Sequence, residues 1–217
     1  MSSSLHFPRL YAIFDAQRLA PEPVPEVAES LLAAGVRMFQ YRDKHGASRA
    51  VYDASQRLAA FARDAGAIFI VNDRADIALA AGADGVHLGQ DDLPACKARK
   101  ILSAGQLIGL STHSLEQVEQ ANREPVDYVA FGPVFATRSK ERPDPVVGLS
   151  GLRAARQLTS KPLVAIGGID LRNAGPALEA GADAVAVIDA LFSAPDIAAR
   201  AGALLQVVEN YREGEAE

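Results

Sequence analysis

Apolar residues along this chain come in short continuous runs, not in long amphipathic stripes. The runs are Arg9–Asp15 (RLYAIFD), Arg37–Arg42 (RMFQYR), Ala67–Asp73 (AIFIVND), Gly85–Gly89 (GVHLG), Leu107–Ser111 (LIGLS), Asp127–Gly132 (DYVAFG), Pro162–Gly168 (PLVAIGG) and Asp183–Asp189 (DAVAVID). Such runs, rich in β-branched and aromatic types, read as strands covered on both faces, the habit of a parallel sheet. Helical segments fit between them, at Pro25–Ala34, Arg49–Asp64, Arg74–Ala81, Leu115–Arg123, Leu149–Thr159 and Leu171–Ala180. Gly35, Gly66, Gly82 and Gly181 each follow a helix and precede a strand. Glycine there supplies the left-handed residue that closes a helix. Eight strand–helix units predict an α/β fold, a (β/α)8 TIM barrel. An open doubly wound sheet is the alternative, but no glycine-rich dinucleotide turn follows the first strand.

Composition changes this picture little. At 217 residues the chain suits one barrel domain spanning 1–217, with a core from about 9 to 211 and short flexible termini. Apolar residues at 49% are enough for a large core, and a net charge of -5 with pI about 5.4 argues against a nucleic-acid partner. The lone Cys96 excludes an intrachain disulfide and reads as an incidental thiol. No signal-peptide pattern and no apolar run near the roughly 20 residues of a membrane span occur, so a cytoplasmic protein with no membrane partner is expected. The oligomeric state is left open, a homo-oligomer being compatible with the sequence.

In such a barrel the chemistry sits where strands end. In QYRDK, alternation puts Gln40, Arg42 and Lys44 on one side of a strand and Tyr41 and Asp43 on the other. Two cations and an amide suit a phosphate or diphosphate; the plainer reading is a solvated strand end. Asn72 and Asp73 end the third run, and GQDD brings Asp91 and Asp92 after the fourth. Carboxylates from neighbouring strand ends suit a sparse Mg²⁺ site. Each also stands where a helix begins, so capping competes as an explanation for Asp73 and for one of the Asp91–Asp92 pair. Ser111 and His113 follow the fifth run, and His87 inside the fourth reads as structural. The loop GPVFATRSK carries Thr137, Ser139 and Lys140, and the stretch 132–147 reads as a mobile lid. Gly167 and Gly168 suit either a phosphate approaching backbone N–H groups or a tight turn.

Together QYRDK, FIVNDRADIALAAGADGVHLGQDDLP, IGLSTHS, DYVAFGPVFATRSK and VAIGGI resemble, in order and over roughly Leu10 to Ala190, the thiamine-phosphate synthases, in a superfamily shared with thiazole tautomerases. The resemblance implies an enzyme, a transferase that joins an aminopyrimidine methyl diphosphate to a thiazole phosphate and releases pyrophosphate. A pyrimidine carbocation forms as the diphosphate leaves, with Mg²⁺ assisting. Small molecules would be the partners. It further implies that Gln40, Arg42, Lys44 and Asn72 hold the diphosphate, with Tyr41 and Asp43 in the same motif. Asp73 and Asp92 would bind one Mg²⁺ per subunit, leaving Asp91 as the helix cap. Ser111 would contact the pyrimidine. Thr137, Arg138 and Ser139 belong to the loop that takes the thiazole phosphate, and Lys140 to the diphosphate. Gly168, Ile188 and Asp189 would complete the thiazole-phosphate pocket, and Arg42, Lys44 and Lys140 would be the catalytic cations.

Two departures stand out. Ser139 replaces the family's usual threonine and keeps the hydroxyl. Asp189 replaces a serine beside a phosphate, where a carboxylate is unfavourable; either its backbone makes the contact, or its side chain turns toward Arg138 or Arg172. A tautomerase using His113 as acid and base, and a non-catalytic ligand-binding relative, are the competing functions. The intact acids and cations at the strand ends favour the synthase, with His113 dispensable for coupling.

Overall fold

The structure, a computed structural model, describes residues 7–18, 24–137 and 144–213. Its elements follow one another as β1 (Leu10–Asp15), α1 (Val24–Ala33), β2 (Met38–Arg42), α2 (Ser48–Asp64), β3 (Ile68–Asn72), α3 (Ala75–Ala81), β4 (Gly85–Leu88), α4 (Ala95–Ile101) and β5 (Leu107–Thr112). The second half continues with α5 (Leu115–Arg123), β6 (Tyr128–Phe131), α6 (Gly148–Leu158), β7 (Leu163–Ala165), α7 (Ala174–Glu179), β8 (Ala184–Val187), α8 (Asp189–Phe192) and α9 (Ile197–Glu213). Neighbouring strands pair in parallel, and β8 returns to β1 with Leu10 opposite Val185, so the sheet is a closed eight-stranded barrel. Closure removes both sheet edges and with them every unpaired edge N–H and C=O. The open doubly wound alternative is thereby excluded.

Strand side chains alternate between axis and helix layer. Tyr11, Ile13, Met38, Ile70, Tyr128, Ala130, Val164, Ala184 and Ala186 form one buried cluster inside the barrel. The intervening residues, among them Leu10, Phe39, Phe69, Val86, Val129 and Val185, join the larger core between sheet and helices. Extending the inner phase toward the strand ends gives Asp15, Gln40, Arg42, Asn72, Ser111, Ile166 and Ile188. The barrel interior and the polar mouth therefore occupy one continuous set of positions.

At the opposite end, three aspartates secure the strands in the same way. Asp84, Asp127 and Asp183 each precede a strand and accept, on the side chain, the backbone N–H of Phe69, Ile108 and Leu163, at 2.8, 2.7 and 2.7 Å. Each also donates its own N–H to the carbonyl of that residue at 2.8 Å. Arg99 and Arg156 pair with Asp127 and Asp183. α9, which the sequence pattern does not mark, packs on α1, α7 and β1 and covers the seam where the barrel closes.

Small residues inside the barrel make room for the tyrosines. A methyl group on Gly109 would lie 2.1 Å from Cζ of Tyr128. That ring is fully buried and hydrogen-bonded to Tyr11 and His87, so it has nowhere to move. Gly109→Ala is expected to cost at least about 1–3 kcal/mol, the usual penalty of overpacking, read as a lowered urea midpoint at unchanged slope.

Candidate active site

A cavity of about 430 Å³ opens at the C-terminal ends of the strands. Gln40, Arg42 and Lys44 reach it from β2, Asn72 and Asp73 from β3, Ser111 and His113 from β5, Thr137 from the β6 loop, Gly168 from β7, and Ile188 and Asp189 from β8. Tyr41 and Asp43 face the other way, as alternation requires. Tyr41 sits in the outer core, where burial and Asp43 push its phenol up to about 12. Asp43 accepts from the backbone N–H of Gly46 at 2.8 Å and of His45 at 3.2 Å, which folds the β2–α2 turn. Neither lines the cavity, so no ligand contact falls to them in this geometry. The expectations for Arg138, Ser139 and Lys140 lie outside the described residues.

The acids do not cap helices. The residue that opens α3 is Arg74 and the one that opens α4 is Pro94, and at neither helix start does a capping side chain accept a backbone N–H. The capping role expected for Asp91 is thus corrected, and the competing cap reading of Asp73 falls. Asp92 instead accepts the N–H of Gly89 at 2.7 Å, closing the turn after β4, while Asp91 lines the cavity. Asp73 receives the Lys44 ammonium, and its N–H donates to the His87 carbonyl at 2.8 Å. Its φ of +62° is left-handed, a conformation otherwise confined to glycines among the described residues. Burial, with the Asp92 carboxyl close enough to hydrogen-bond, pushes Asp73 above the usual carboxylate range, and Lys44 opposes this. Among the described residues no group of three or more His, Cys, Asp or Glu side chains could hold a metal. Two converging hard-oxygen donors still fit an ion such as Mg²⁺, which keeps several waters and takes further oxygens from a ligand.

Arg42 pairs with Asp15, a carboxylate only 1% exposed at the end of β1. Asp15 also accepts the N–H of Gln17 at 3.0 Å. The sequence reading overlooked it, although it shares its inward phase with Tyr11 and Ile13. Gln90, a strand-end residue to which the sequence assigns no role, donates to the Ser111 carbonyl at 2.6 Å and lines the cavity. Asp189 lies 3.7 Å from Arg18 in the β1–α1 loop. This corrects the expectation for Arg172, which is taken by Asp170 at 2.7 Å, while Arg138 lies outside the described residues. His113 Nδ1 meets the Gly132 carbonyl at 2.6 Å and so carries a proton there, and its Nε2 is 3.5 Å from Asp144.

Gly167 and Gly168 have φ of +95° and +65°. Methyl groups on them would fall 2.5 Å from Pro133 and from the Ala136 carbonyl oxygen. Both glycines are needed for the β6 loop to lie against this turn, whatever binds there. Val134 and Phe135 donate to the Ile166 and Gly167 carbonyls, and Val147 to that of Pro133. The flanks of the expected lid are therefore tied to the barrel, and its centre lies outside the described residues.

A row of hydrogen bonds crosses the cavity floor from Gln40 through Tyr11, Tyr128 and His87 to Ser111. Burial raises both tyrosine phenols, so their hydroxyls stay protonated.

Removing Asp15 would leave Arg42, itself 16% exposed, without its partner. Asp15→Ala is expected to cost about 3–5 kcal/mol, as for other broken buried ion pairs, measured by chemical denaturation.

Residues 10–191 match the family model described as thiamine monophosphate synthase. A thiamine-phosphate synthase of Koribacter versatilis is 48% identical over 214 residues, covering 97% of this chain and 100% of that protein. One from Chloroflexus aurantiacus is 42% identical over 205 residues, covering 94% of each. The solved thiamine phosphate pyrophosphorylase of Pyrococcus furiosus superposes with a TM-score of 0.85 at 37% identity, covering 94% of this chain and 96% of that one. With site cations and acids on one mouth of a closed barrel and relatives this near over nearly its whole length, the chain belongs to the thiamine monophosphate synthase family of transferases.

Proposed function

We propose that this protein couples an aminopyrimidine methyl diphosphate to a thiazole phosphate, giving thiamine phosphate and pyrophosphate. The observation that carries the reading is the convergence of Arg42, Lys44 and Asp73 at one end of the cavity, with Asp92 beside Asp73 and the Gly167–Gly168 turn at the other end. One end suits a diphosphate with a cation, the other a second phosphate.

In this reading the bond between the pyrimidine methylene and the diphosphate breaks first, and its electron pair leaves with the diphosphate. The thiazole nitrogen then supplies the pair that forms the new carbon–nitrogen bond. No protein nucleophile is required. Arg42 and Lys44 stabilise the negative charge that grows on the leaving group, the contribution made by preorganised charges in a confined site. Asp15 keeps Arg42 in place for that task. Gln40 and Asn72 orient the diphosphate end, Ser111 the pyrimidine, and Thr137 with Ser139 the thiazole phosphate. Lys140 joins the cations on the diphosphate. Ile13, Ala130 and Val164 wall the reacting carbon from water. Asp73 and Asp92 would hold Mg²⁺, which when bound supplies charge against the diphosphate oxygens. The ion needs Asp73 ionised, and burial with Asp92 nearby delays that ionisation.

Asp189 faces the pocket assigned to the thiazole phosphate, and Arg18 offsets its charge at 3.7 Å. Both groups are well exposed, so the offset is weak.

Purified protein with both substrates is expected to form thiamine phosphate in a Mg²⁺-dependent manner, read by fluorescence after oxidation. Asp92→Ala should abolish product and His113→Ala retain it. Loss in His113→Ala with no effect of Asp92→Ala would point to proton-shuttle chemistry on the thiazole instead. Mg²⁺ should raise the melting temperature at neutral pH. That gain should vanish as pH falls through the raised pKa of Asp73, because the protonated acid no longer binds the ion. Asp189→Ser should lower KM for the thiazole phosphate several-fold with kcat nearly unchanged, since it removes repulsion felt by bound substrate and transition state alike.

A further inference from the structure

The buried row under the cavity has a direction. Gln40 Nε2 is 2.7 Å from the Tyr11 hydroxyl, Tyr11 is 3.0 Å from the Tyr128 hydroxyl, Tyr128 is 3.0 Å from His87 Nδ1, and His87 Nε2 is 2.9 Å from Ser111 Oγ. Tyr11, Gln40, His87 and Tyr128 are at most 6% exposed. The coupling chemistry makes no use of two phenols and an imidazole placed here. Every member of the row but Tyr128 lines the cavity, and its two ends are Gln40 and Ser111.

The capacity of each group fixes the order. An amide nitrogen only donates, so the Tyr11 oxygen accepts from Gln40. The Tyr11 hydrogen then goes to Tyr128. Running the tyrosine bond the other way would leave that hydrogen with no acceptor in a fully buried place. Tyr128 passes its own hydrogen to His87 Nδ1, which must be bare to take it. A neutral imidazole then carries its proton on Nε2, which donates to Ser111 Oγ. The Ser111 hydroxyl hydrogen is left to point away from His87, into the cavity.

We infer that this row sets the polarity of the cavity floor: it holds His87 as the Nε2–H tautomer and makes Ser111 a hydrogen-bond donor to an acceptor atom of the ligand. On the proposed coupling function, that acceptor is a ring nitrogen of the aminopyrimidine. Tyr128, which does not line the cavity, is a positioning residue that acts through His87 and Ser111. The arrangement selects for rings with a lone pair at this point. A ring presenting a hydrogen there would confront another hydrogen, and sites built on buried polar groups reject such mismatches strongly.

Long-range ¹⁵N–¹H spectra of the full-length, ligand-free protein labelled in its histidines test the polarity directly. The expected result is a single His87 tautomer protonated on Nε2; protonation on Nδ1 overturns the inference, because the row would then run the opposite way. Tyr128→Phe keeps the ring and removes the relay. It should spread His87 over both tautomers and raise KM for the pyrimidine diphosphate roughly tenfold, the effect of one misdirected hydrogen bond. KM for the thiazole phosphate should not change. Ser111→Ala should give a similar loss, and the double variant should be no worse than Ser111→Ala alone. Fully additive losses would mean that Tyr128 does not act through Ser111, and would sink the positioning role. If the wild-type protein forms no thiamine phosphate, the coupling reading fails on its own, and the tautomer alone decides the polarity.

Discussion

Closure of a parallel sheet on itself is the constraint on which everything else here depends. Once β8 pairs with β1, every second side chain on every strand must point at the axis. Low on the strands those positions hold what fills a dry interior, hence Met38, Ile70 and the small Ala184. One step nearer the mouth the same phase delivers Asp15, Gln40, Arg42 and Ser111. The polar groups need no loop to place them, because rigid strands hold them in the positions geometry assigns. The three aspartates at the far end do the complementary work, joining neighbouring strands by paired bonds where no chemistry is carried out.

Charge in the cavity is arranged in layers. The innermost pair, Asp15 with Arg42, is shielded from water and therefore geometrically fixed. Asp73 with Lys44 is more open, so water screens that pair more. Asp189 with Arg18 is more exposed still on the carboxylate side. Interaction strength falls in the same order as solvent screening rises. The pair with the most rigid geometry supports the cation that the proposed chemistry calls on first.

Much of this was legible in the sequence, for reasons that are physical. Strands buried on both faces leave continuous apolar runs, so the barrel followed from eight of them. Period-two alternation separated Gln40, Arg42 and Lys44 from Tyr41 and Asp43 before any coordinates. What escaped were relations set by closure and not by neighbourhood along the chain. Asp15 read as the polar end of an apolar run because its partner, Arg42, comes from the next strand. Asp189 meets Arg18, near the opposite end of the chain, and the β8–β1 seam brings them together. The tyrosine hydroxyls gave no signal because their partners lie across the barrel. A local rule also misled: Asp91, just before α4, looked like its cap, yet Pro94 opens that helix and Asp91 lines the cavity.

The left-handed backbone of Asp73 carries one more implication. A non-glycine residue in that region holds strain of order 1 kcal/mol or more, and its carboxyl is further disfavoured by burial beside Asp92. Glycine at this position would relieve both terms at once. Breeding or engineering the protein for heat tolerance alone would therefore drift toward deleting an acid on which the proposed chemistry relies. Any effort to harden this barrel has to exempt position 73 from the search and seek its gains at the opposite rim.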